Sequence, residues 1–534
     1  MKKEDTMKKK VTSQKVILRK AVSVLLAVTM LVFTLTGCGS KPAGEAGGGE
    51  AKTESNAGQE ADKSADAAST GEYPVIRVPY SIVFESFDAP AIQDALNEIM
   101  REKAGAEIEL VGIEFGNWST QLNLMLTGGD NSLDIFSSFW YTSVSNLAAN
   151  GQAMALDDLL ASDGQGILEL YDGLEEYLNC GKVNGKIYGI PCIYAWCSEN
   201  MYMVRTEDSE AAGIDWSQIH DLDGVTDAMI AMKQANPDKY FVPGSTDPYW
   251  IPKSIDYLGD TNYLGVLTDP TNSTTIENYY ESAYFKDFME HVKVWKENEI
   301  FSPDPLSNNQ PTLMSLLLGI TDGTPGYSWD AQVGIQSSAV QNGIDVVGTG
   351  ITEALATSGD VTTYMWHVSP FSKNPEAAMR VLNVLFTDPE AAQIAANGLE
   401  GLEYVLDENG QMSYPEGKTM GDLGWPAASM AYWPNVTLCK TWNFEPENIY
   451  ELMKEKNKTA KKSLALGFQF DSTPVADQMT ACANVVAQFY TPLMYGEVDI
   501  DSTVEEFNKQ LYNAGLQDII NEKQTQLDAW LAAN

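Results

Sequence analysis

The sequence predicts an α/β protein built from at least two domains. At 534 residues the chain is longer than one hydrophobic core usually supports, and 44% of it is hydrophobic, as in globular proteins. Between residues 73 and 141, stretches with strand and helix patterns alternate, which is typical of a parallel sheet covered by helices. Residues 183–196 contain two glycines and a proline, and so offer a place where the chain turns between domains.

The first folded stretch is predicted to contain three strands and two helices. Residues 75–78, 108–111 and 134–137 are short apolar runs expected to form strands. Pro90 opens a helix that Gly105 ends, and Gly128 and Gly129 end a second helix that begins near Trp118. Ligands of parallel sheets lie beyond the carboxyl ends of the strands, which here are Tyr80, residues 112–115 and residues 138–141.

The segment 183–196 admits two interpretations. In the first it is a hinge, followed by a binding wall that carries Tyr194 and Trp196. In the second it is a surface hairpin whose aromatic side chains pack into a core. Both interpretations remain open at this point, because the glycines and the proline suit a turn of either kind.

Beyond residue 200 the pattern is helix-rich. Aromatic and histidine side chains recur every three or four residues from 280 to 295 and mark the core face of a helix. Helix starts are predicted at Asn374-Pro375 and Asp388-Pro389, where a capping residue precedes proline, and at Ser502, which has Glu505 three residues on.

The N-terminus has the pattern of a targeting segment. Eight basic residues precede or border an apolar run, residues 21–35, that is shorter than the roughly 20 residues a membrane span needs. The run ends in Leu35-Thr36-Gly37-Cys38, which resembles a bacterial lipoprotein signal, so residues 1–37 are predicted to be removed and Cys38 to carry lipid. The alternative is an uncleaved signal anchor. Residues 38–72 are predicted to be a disordered tether, with an average span of roughly 30 Å.

Charge and cysteine content exclude several classes of function. The formal net charge is −40, and without residues 1–37, which hold eight basic and two acidic residues, it becomes −46. A chain this acidic repels nucleic acid and anionic headgroups, so neither is an expected partner. The six cysteines contain no CxxC pair, which predicts neither a disulfide framework nor a zinc site. A bridge between Cys192 and Cys197 remains an alternative.

Aromatic residues in turn-rich segments are a stronger signal than any catalytic motif. The three histidines are isolated in sequence, and HExxH, GxSxG and P-loop motifs are absent, so the sequence predicts neither an enzyme nor a cofactor. Tryptophan and tyrosine in turn-rich segments offer flat apolar faces with one polar atom, which suit the faces of a sugar ring. This set favours a carbohydrate-type cleft, and its members are Trp140, Tyr194, Trp196, Trp250, Trp329, Trp366, Trp425, Trp433 and Trp442.

Several motifs, in order, resemble the extracellular solute-binding proteins of ABC importers. These are Leu126-Thr127-Gly128-Gly129-Asp130 before Asp134-Ile135-Phe136, the turn that ends in Leu156-Asp157-Asp158-Leu159, Gly185-Lys186-Ile187-Tyr188-Gly189-Ile190-Pro191, and Asn374-Pro375-Glu376 with Asp388-Pro389-Glu390. Gly398-Leu399-Glu400-Gly401 and the C-terminal segments around Phe470 and Trp530 are similar to the LipO-like lipoproteins, which carry a C-terminal region of unknown function. The resemblance covers nearly all of residues 73–534.

This resemblance implies a two-lobe, periplasmic-binding-protein-like fold of type II. Each lobe would be a mainly parallel sheet flanked by helices, with the ligand in the cleft between them. The implied ranges are 73–187 and 362–435 for the first lobe, and 188–361 and 436–534, with the C-terminal helices, for the second. The ligand-binding residues carried over or placed near the cleft are Tyr80, Trp140, Tyr194, Trp196, Trp250, Trp329, Trp366, Trp433 and Phe470.

The resulting functional prediction is a lipid-anchored, extracytoplasmic receptor, expected to be a monomer. It would capture an uncharged or weakly charged solute, most simply an oligosaccharide, and deliver it to the permease subunits of an ABC importer. Two alternatives come from other classes of protein: a surface enzyme that acts on polysaccharide, and a subunit that reports ligand to a membrane kinase.

Overall fold

Two hydrophobic cores organise the computed structural model, which describes residues 73–82, 87–129, 132–139, 141–245, 249–308, 310–425 and 433–533. The first core collects buried residues between 76 and 197 and between 354 and 453, together with Val333. The second collects residues between 202 and 301 and between 465 and 527, together with Ile351. This arrangement confirms the predicted two-lobe α/β fold. The predicted signal peptide, the tether and Cys38 lie outside the described residues.

The chain up to residue 191 forms the first part of the first lobe. Its elements are β1 (Val75–Ile82), α1 (Ala89–Lys103), β2 (Glu107–Glu114), α2 (Trp118–Met125), β3 (Ile135–Ser137), α3 (Val144–Ala149), α4 (Asp157–Asp163), α5 (Gln165–Leu170), α6 (Glu175–Asn179), β4 (Lys182–Val183), β5 (Lys186–Ile187) and β6 (Ile190–Pro191). The predicted order of strands and helices between residues 75 and 137 is therefore confirmed.

The middle of the chain forms most of the second lobe. Its elements are β7 (Glu199–Arg205), α7 (Thr206–Ala212), α8 (Leu222–Ala235), α9 (Ala283–Glu297), α10 (Thr312–Leu317), β8 (Gly323–Ser328), α11 (Ala331–Asn342), β9 (Val346–Gly350), β10 (Leu355–Ala356) and α12 (Ser358–Thr362).

The chain then returns to the first lobe and ends on the second. The remaining elements are β11 (Met365–Val368), α13 (Pro375–Thr387), α14 (Pro389–Asn397), β12 (Val405–Leu406), β13 (Met412–Ser413), α15 (Ile449–Thr459), β14 (Lys461–Lys462), α16 (Ala476–Met494), α17 (Ile500–Asn513) and α18 (Leu516–Ala533). The helix starts predicted at Pro375 and Pro389 are confirmed. The start predicted at Ser502 is wrong, because Asp499 caps α17 and accepts a hydrogen bond from the Ser502 backbone N–H at 3.0 Å.

Strand direction separates the two lobes. In the first lobe β1 and β2 pair in parallel, as predicted, and β1 neighbours β3 through Asp134, whose N–H donates to the Arg77 carbonyl at 3.1 Å. The returning strand β11 lies between β3 and β6 and runs antiparallel to both. In the second lobe β7 lies between β8 and β9 and is antiparallel to both. The expectation of a mainly parallel sheet is therefore wrong for the second lobe.

The physical reason for this difference is the route of the chain. Strands β8 and β9 run in the same direction and are joined by helix α11, as in an ordinary β-α-β unit. Strand β7 reaches the second sheet directly from the first lobe and occupies the position between them. Strand β11 does the same on its return to the first sheet. The antiparallel strand of each lobe is thus the one that arrives from the other lobe.

The chain passes between the cores in three crossing segments, residues 197–202, 351–354 and 453–465. The first and second are joined by two backbone hydrogen bonds of 3.0 Å between Ser198 and Leu355. The second and third are joined where Lys461 N–H donates to the Ala354 carbonyl at 3.1 Å and β10 pairs with β14. These bonds hold the three crossing segments side by side.

Two buried side chains tie the same segments together. The Asp360 carboxylate accepts hydrogen bonds from Ser198 Oγ at 2.9 Å and from Thr357 Oγ1 at 2.7 Å. Asn457 donates from Nδ2 to the Tyr194 carbonyl at 2.7 Å and accepts from the Trp196 backbone N–H at 2.8 Å. Both residues are at most 5% exposed. Because buried polar groups are costly to leave unpaired, these contacts fix the relative positions of the crossings.

The crossings differ in position from the lobe boundaries implied by the sequence, which fell after residues 187, 361 and 435. Ile190 and Pro191 still pair within the first sheet, and Ile449 and Met453 still pack in the first core. Residues 182–187 form the β4–β5 hairpin, whose turn residues Asn184 and Gly185 have positive φ angles of 50° and 79°. An Asn-Gly pair in that conformation is a two-residue hairpin turn. The hairpin interpretation therefore describes residues 182–187, and the first crossing follows at residue 197.

We predict that replacing Asp360 with alanine lowers the free energy of unfolding by about 3–5 kcal/mol, because removal of one member of a buried polar cluster leaves its partners unpaired. The partners lost are Ser198, Thr357 and the buried Lys253 ammonium, which lies 3.7 Å from Asp360 Oδ1. Urea unfolding measures the change. The control is Glu353→Ala, which removes an exposed partner of Lys461 and should cost less than about 1 kcal/mol. Equal losses in the two variants would contradict this role for Asp360.

We also predict that His367 makes the fold sensitive to acid. Its ring is fully buried, Nδ1–H donates to the Tyr188 carbonyl at 2.7 Å, and the ring stacks on Phe136 at 5.0 Å. Burial lowers the pKa of His367 to about 4, so below its ordinary pKa the unfolded chain binds a proton that the folded chain does not. Its stabilising contribution, up to about 3 kcal/mol, is therefore complete above about pH 6.5 and is lost as the pH falls towards 4.

Urea unfolding of the wild type and of His367→Gln, from about pH 7 to about pH 4.5, tests this prediction. The glutamine cannot take up a proton, so the variant should lose less stability than the wild type over this range. Other groups, such as Glu445, whose pKa burial raises to about 7, titrate in both proteins and cancel in the comparison. Parallel profiles would show that His367 does not titrate as stated.

Candidate functional site

Aromatic rings connect the first lobe to the crossing segments. Phe139, just beyond the carboxyl end of β3, stacks on Tyr364 with ring centroids 5.4 Å apart. Tyr364 in turn meets the edge of Tyr194 at 5.4 Å, and the Tyr194 hydroxyl donates to the Asp360 carbonyl. Phe139 and Tyr364 are buried, whereas Tyr194 is partly exposed. A series of contacting rings therefore runs from the carboxyl end of β3 to Tyr194, just before the first crossing segment.

The second lobe brings two more rings to the same region. Strand β8 carries Tyr327 and ends at Ser328, so that Trp329 follows at its carboxyl end. Trp329 is partly exposed, and although its strand belongs to the second lobe, it packs against the first core. Its carbonyl faces the Cys197 thiol at 3.9 Å, next to the first crossing. Trp329 therefore contacts both lobes at the end of a strand.

A cluster of charges surrounds the Trp329 backbone. Lys456 on α15 places its Nζ 3.1 Å from Asp330 Oδ2 and 3.4 Å from Glu199 Oε2. Asp330 also caps α11 by accepting from the backbone N–H groups of Gln332 and Val333. Burial raises the pKa of Glu199. For Lys456, burial acts to lower the pKa, but the neighbouring Glu199 and Asp330 carboxylates outweigh this effect. The pKa of Lys456 is therefore raised. The lysine lies in the third crossing segment, Glu199 in the first and Asp330 at the end of the second-lobe strand β8, so this cluster joins two crossing segments to the second lobe beside Trp329.

A second buried cation lies beneath Tyr327. Lys253 is 3% exposed, its Nζ is 4.5 Å from the centre of the Tyr327 ring, and Asp360 is its carboxylate neighbour. Burial raises the pKa of the Tyr327 phenol, so the hydroxyl is neutral and able to donate a hydrogen bond. The two lysines at this site are each neutralised by carboxylates of the protein.

The site thus offers partly exposed rings from both lobes and internally paired charges. Such a surface suits a ligand with flat apolar faces and neutral hydroxyl groups, because rings pack on the faces and phenols or carboxylates bond the hydroxyls. In the part of the chain that the structure describes, no three His, Cys, Asp or Glu side chains are grouped so that they could hold a metal ion.

Three of the predicted ligand-binding residues form a ladder inside the first lobe. Tyr80 lies 4.9 Å from Trp425, Trp425 lies 6.1 Å from Trp433, and Trp433 stacks on Trp366 at 5.7 Å. All four rings are at most 8% exposed, and Trp366 lies in strand β11 instead of the turn predicted for it. In this conformation the ladder therefore fills the first core.

Three other predicted residues pack elsewhere than against Trp329 or Tyr194. Trp196 is buried between Tyr171 and Tyr177 and donates from Nε1 to the Cys192 carbonyl at 2.8 Å. Trp250 is buried in the second core, where it stacks on Phe288 at 5.1 Å. Phe470 is partly exposed beside the C-terminal helices. Of the nine predicted residues, Tyr194 and Trp329 lie at the site described above, and Trp140 lies outside the described residues.

Sequence reasoning missed most of the polar residues of the site. Lys253, Asp360 and Lys456 carry no local pattern that marks them, apart from the Thr357–Asp360 capping box, which indicates only a helix start. Tyr327 lies two residues before Trp329, on the predicted strand, and alternation along that strand could have drawn attention to it. Cys192 and Cys197, the possible bridge, are both buried and form no disulfide.

Among the described residues, no helix is both long enough and apolar enough to cross a membrane.

Comparison with known families gives two matches. Residues 83–392, more than half of the chain, match the family described as bacterial extracellular solute-binding protein. Residues 464–532 match a domain of unknown function (DUF3502).

Individual relatives agree with the family match. A protein of Streptococcus pneumoniae serotype 4, named carbohydrate ABC transporter substrate-binding protein, is 26% identical over 489 residues, which cover 87% of this chain and 92% of the relative. The solved N-glycan transport solute binding protein (NgtS) of Streptococcus pneumoniae has a TM-score of 0.73 and 23% identity over 86% of this chain and 99% of its own.

A solute binding protein from Bifidobacterium longum infantis, described as binding HMO and associated with an ABC transporter, has a TM-score of 0.58 and 14% identity, covering 86% of this chain and 99% of its own. At these identities the solved structures show the shared fold alone, and that fold is the two-lobe one. Together with the family match, the two cores and the ring-lined ends of their strands lead to one conclusion: the chain belongs to the family of bacterial extracellular solute-binding proteins.

Proposed function

We propose that this protein captures an oligosaccharide between its lobes and delivers it to the permease of an ABC importer. The observation that carries the proposal is the position of Trp329, a partly exposed ring at the end of a second-lobe strand that packs against the first core. A ring in contact with both lobes can cover one face of a sugar while the lobes enclose it. Tyr194, Tyr327 and the predicted Trp140 would complete the ring-lined walls.

The mechanism we propose is binding with closure. A ligand that contacts both lobes binds the closed arrangement more strongly than the open one, and so shifts the population towards it. The lobes would rotate relative to each other about the crossing segments, which hydrogen bonds hold together. The permease would then recognise the closed shape, and hydrolysis or transfer of the sugar is not part of this step.

The choice of ligand class rests on the relatives. One is named carbohydrate ABC transporter substrate-binding protein, and NgtS has been solved in complex with Man1GlcNAc and with Man5GlcNAc. These names, together with the internally neutralised charges beside Trp329, favour an uncharged glycan for this chain. A mannose- and N-acetylglucosamine-containing oligosaccharide is therefore the first probe to use.

The predicted location completes the proposal. A lipid on Cys38 would hold the protein on the outer face of the cell membrane, and the tether of residues 38–72 would let the folded part, as a monomer, reach the permease. The surface-enzyme and kinase-sensor alternatives become outcomes of the tests: the first predicts turnover of the oligosaccharide, and the second predicts a gene neighbourhood without permease subunits.

We predict that Trp329→Ala weakens binding of the oligosaccharide by about 1–3 kcal/mol, or about 5- to 150-fold in Kd, the scale of a lost buried aromatic contact. Trp140→Ala should have an effect of the same size. Isothermal titration calorimetry of the purified protein measures both.

The matched control is Trp216→Ala. Trp216 is also partly exposed, but it packs against the second core, where its ring lies 5.9 Å from that of Tyr202 and its Nε1 donates to Ser209 Oγ at 2.8 Å. Its substitution should leave Kd within about twofold, a change under about 0.5 kcal/mol. Undiminished affinity in both Trp329→Ala and Trp140→Ala, with a wild type that binds, would refute the proposed walls.

A further inference from the structure

The C-terminal region, residues 464–532, shares the core of the second lobe. Its helices α16, α17 and α18 contribute Val486, Phe507, Leu511 and Leu527 to the same cluster as Tyr280 and Phe285 of the middle of the chain. The rings of Tyr280 and Phe507 lie 4.5 Å apart. This region, whose match is to a domain of unknown function, is therefore a structural part of the second lobe.

The element that these helices cover is a long loop, residues 249–268, which we name the floor loop. It contains isolated bridges but no named helix or strand. Its backbone is strained, because Leu258 and Tyr263 have positive φ angles of 52° and 55°. A non-glycine residue in that conformation costs roughly 1–2 kcal/mol and persists only where its surroundings impose it.

Lys523 on α18 supplies the main restraint. Its side chain is fully buried, and its Nζ donates to Asp260 Oδ2 at 3.2 Å and to the Gly265 carbonyl at 3.0 Å. The Asp260 carboxylate in turn accepts from the backbone N–H groups of Asn262 and Leu264, both at 3.0 Å. One ammonium group from the C-terminal region thus holds the strained half of the floor loop.

Other contacts from the same region hold the start of the floor loop and the segment that follows it. Gln524 donates from Nε2 to the Thr274 carbonyl at 3.1 Å and accepts from the Ile276 N–H at 2.8 Å. At the other end the Tyr249 hydroxyl donates to the Met494 carbonyl at the end of α16. The C-terminal region therefore holds the floor loop at its start and in its strained middle, and also holds the segment that follows the loop.

The front of the floor loop forms part of the candidate site. Asn200 Nδ2 donates to the Ile251 carbonyl, and Lys253 N–H donates to Asn200 Oδ1, both at 2.8 Å, which aligns the loop with β7. Lys253 then lies under the Tyr327 ring and beside Asp360 at the second crossing. Any displacement of the loop would move Lys253 relative to both.

We infer that the C-terminal region is a scaffold for the ligand site: through Lys523 it holds the floor loop in its strained conformation and so positions Lys253 beneath Tyr327 and beside Asp360. Lys523 is a positioning residue in this scheme, because it reaches the site only through the loop. The effect on ligand affinity rests on the function proposed above, whereas the restraint on the loop does not.

Hydrogen–deuterium exchange of the full folded chain carrying Lys523→Met tests the restraint. Methionine keeps the length of the side chain but leaves Asp260 buried without its cation, so amides of residues 256–268 should exchange at least about tenfold faster, while those of β7 change little. The matched control, Lys509→Met on α17, removes an exposed ion pair with Glu506 and should leave exchange unchanged. A uniform increase throughout the second lobe, or no increase in the loop, would overturn the inference.

Two further variants keep the test decisive if Lys523→Met fails to fold. Gln524→Ala removes the contacts to Thr274 and Ile276, together with an exposed bond to Asp528 on the same helix, and should raise exchange in residues 264–276 by a smaller factor. Adding Asp260→Asn to Lys523→Met removes the unpaired charge and should restore folding while the loop remains less protected. Wild-type protection of the loop in both variants would overturn the inference.

Calorimetry with the mannose- and N-acetylglucosamine-containing oligosaccharide then tests the link to binding. Lys523→Met, or the double variant in its place, should weaken binding about tenfold or more, and Lys509→Met should not. Faster loop exchange with unchanged affinity would overturn the positioning role. A wild type that does not bind the oligosaccharide would refute the proposed function, and the exchange data would still decide whether the C-terminal region holds the loop.

Discussion

The structure depends on the joining of three crossing segments by backbone hydrogen bonds and by two buried polar side chains. Asp360, which follows the second segment, binds Ser198 of the first, and Asn457 binds the third to the residues that precede the first. Without these contacts each crossing would be a separate flexible link, and the two lobes could adopt many relative orientations. With them, the crossings form one unit, so relative motion of the lobes is confined to the backbone on either side of it. A cleft between the lobes can have a defined shape only under that restriction.

The sequence predicts those parts of the fold that local pattern determines. The strand and helix order between residues 75 and 137 was predicted because apolar periodicity and chain-breaking glycines act over a few residues. The starts of α13 and α14 were predicted because proline at the first turn is a local signal. The position of β11 between β3 and β6 could not be predicted, because it joins residues that are more than 170 positions apart. Pairing at that distance leaves no periodic signal in either strand.

The aromatic residues of the candidate site also separate what local sequence can predict from what it cannot. Trp329 lies between Ser328 and Asp330 in the sequence and Trp366 between Met365 and His367, and neither setting shows whether the ring is exposed in the fold. Trp366 is fully buried because Trp433, which is far away in the sequence, stacks on it. Trp329 remains partly exposed because its strand ends where the two lobes meet. Burial of a large ring is therefore a property of the assembled lobes, and a sequence can supply candidates for the site but cannot rank them.

The charges near Trp329 constrain the kind of ligand that the site can accept. Lys253 has Asp360 as its carboxylate neighbour and Lys456 has Glu199 and Asp330, so both lysines at the site are already neutralised within the protein. An anionic ligand that took Lys253 as its partner would leave the buried Asp360 carboxylate unpaired, which costs several kcal/mol. A neutral ligand with many hydroxyl groups meets no such cost, because it can donate to the carboxylates while their ion pairs remain intact. The acidity of the whole chain acts in the same direction, since a net charge of −40 repels anions before they reach the cleft. The pairing of these lysines therefore supports the proposal that the solute is uncharged.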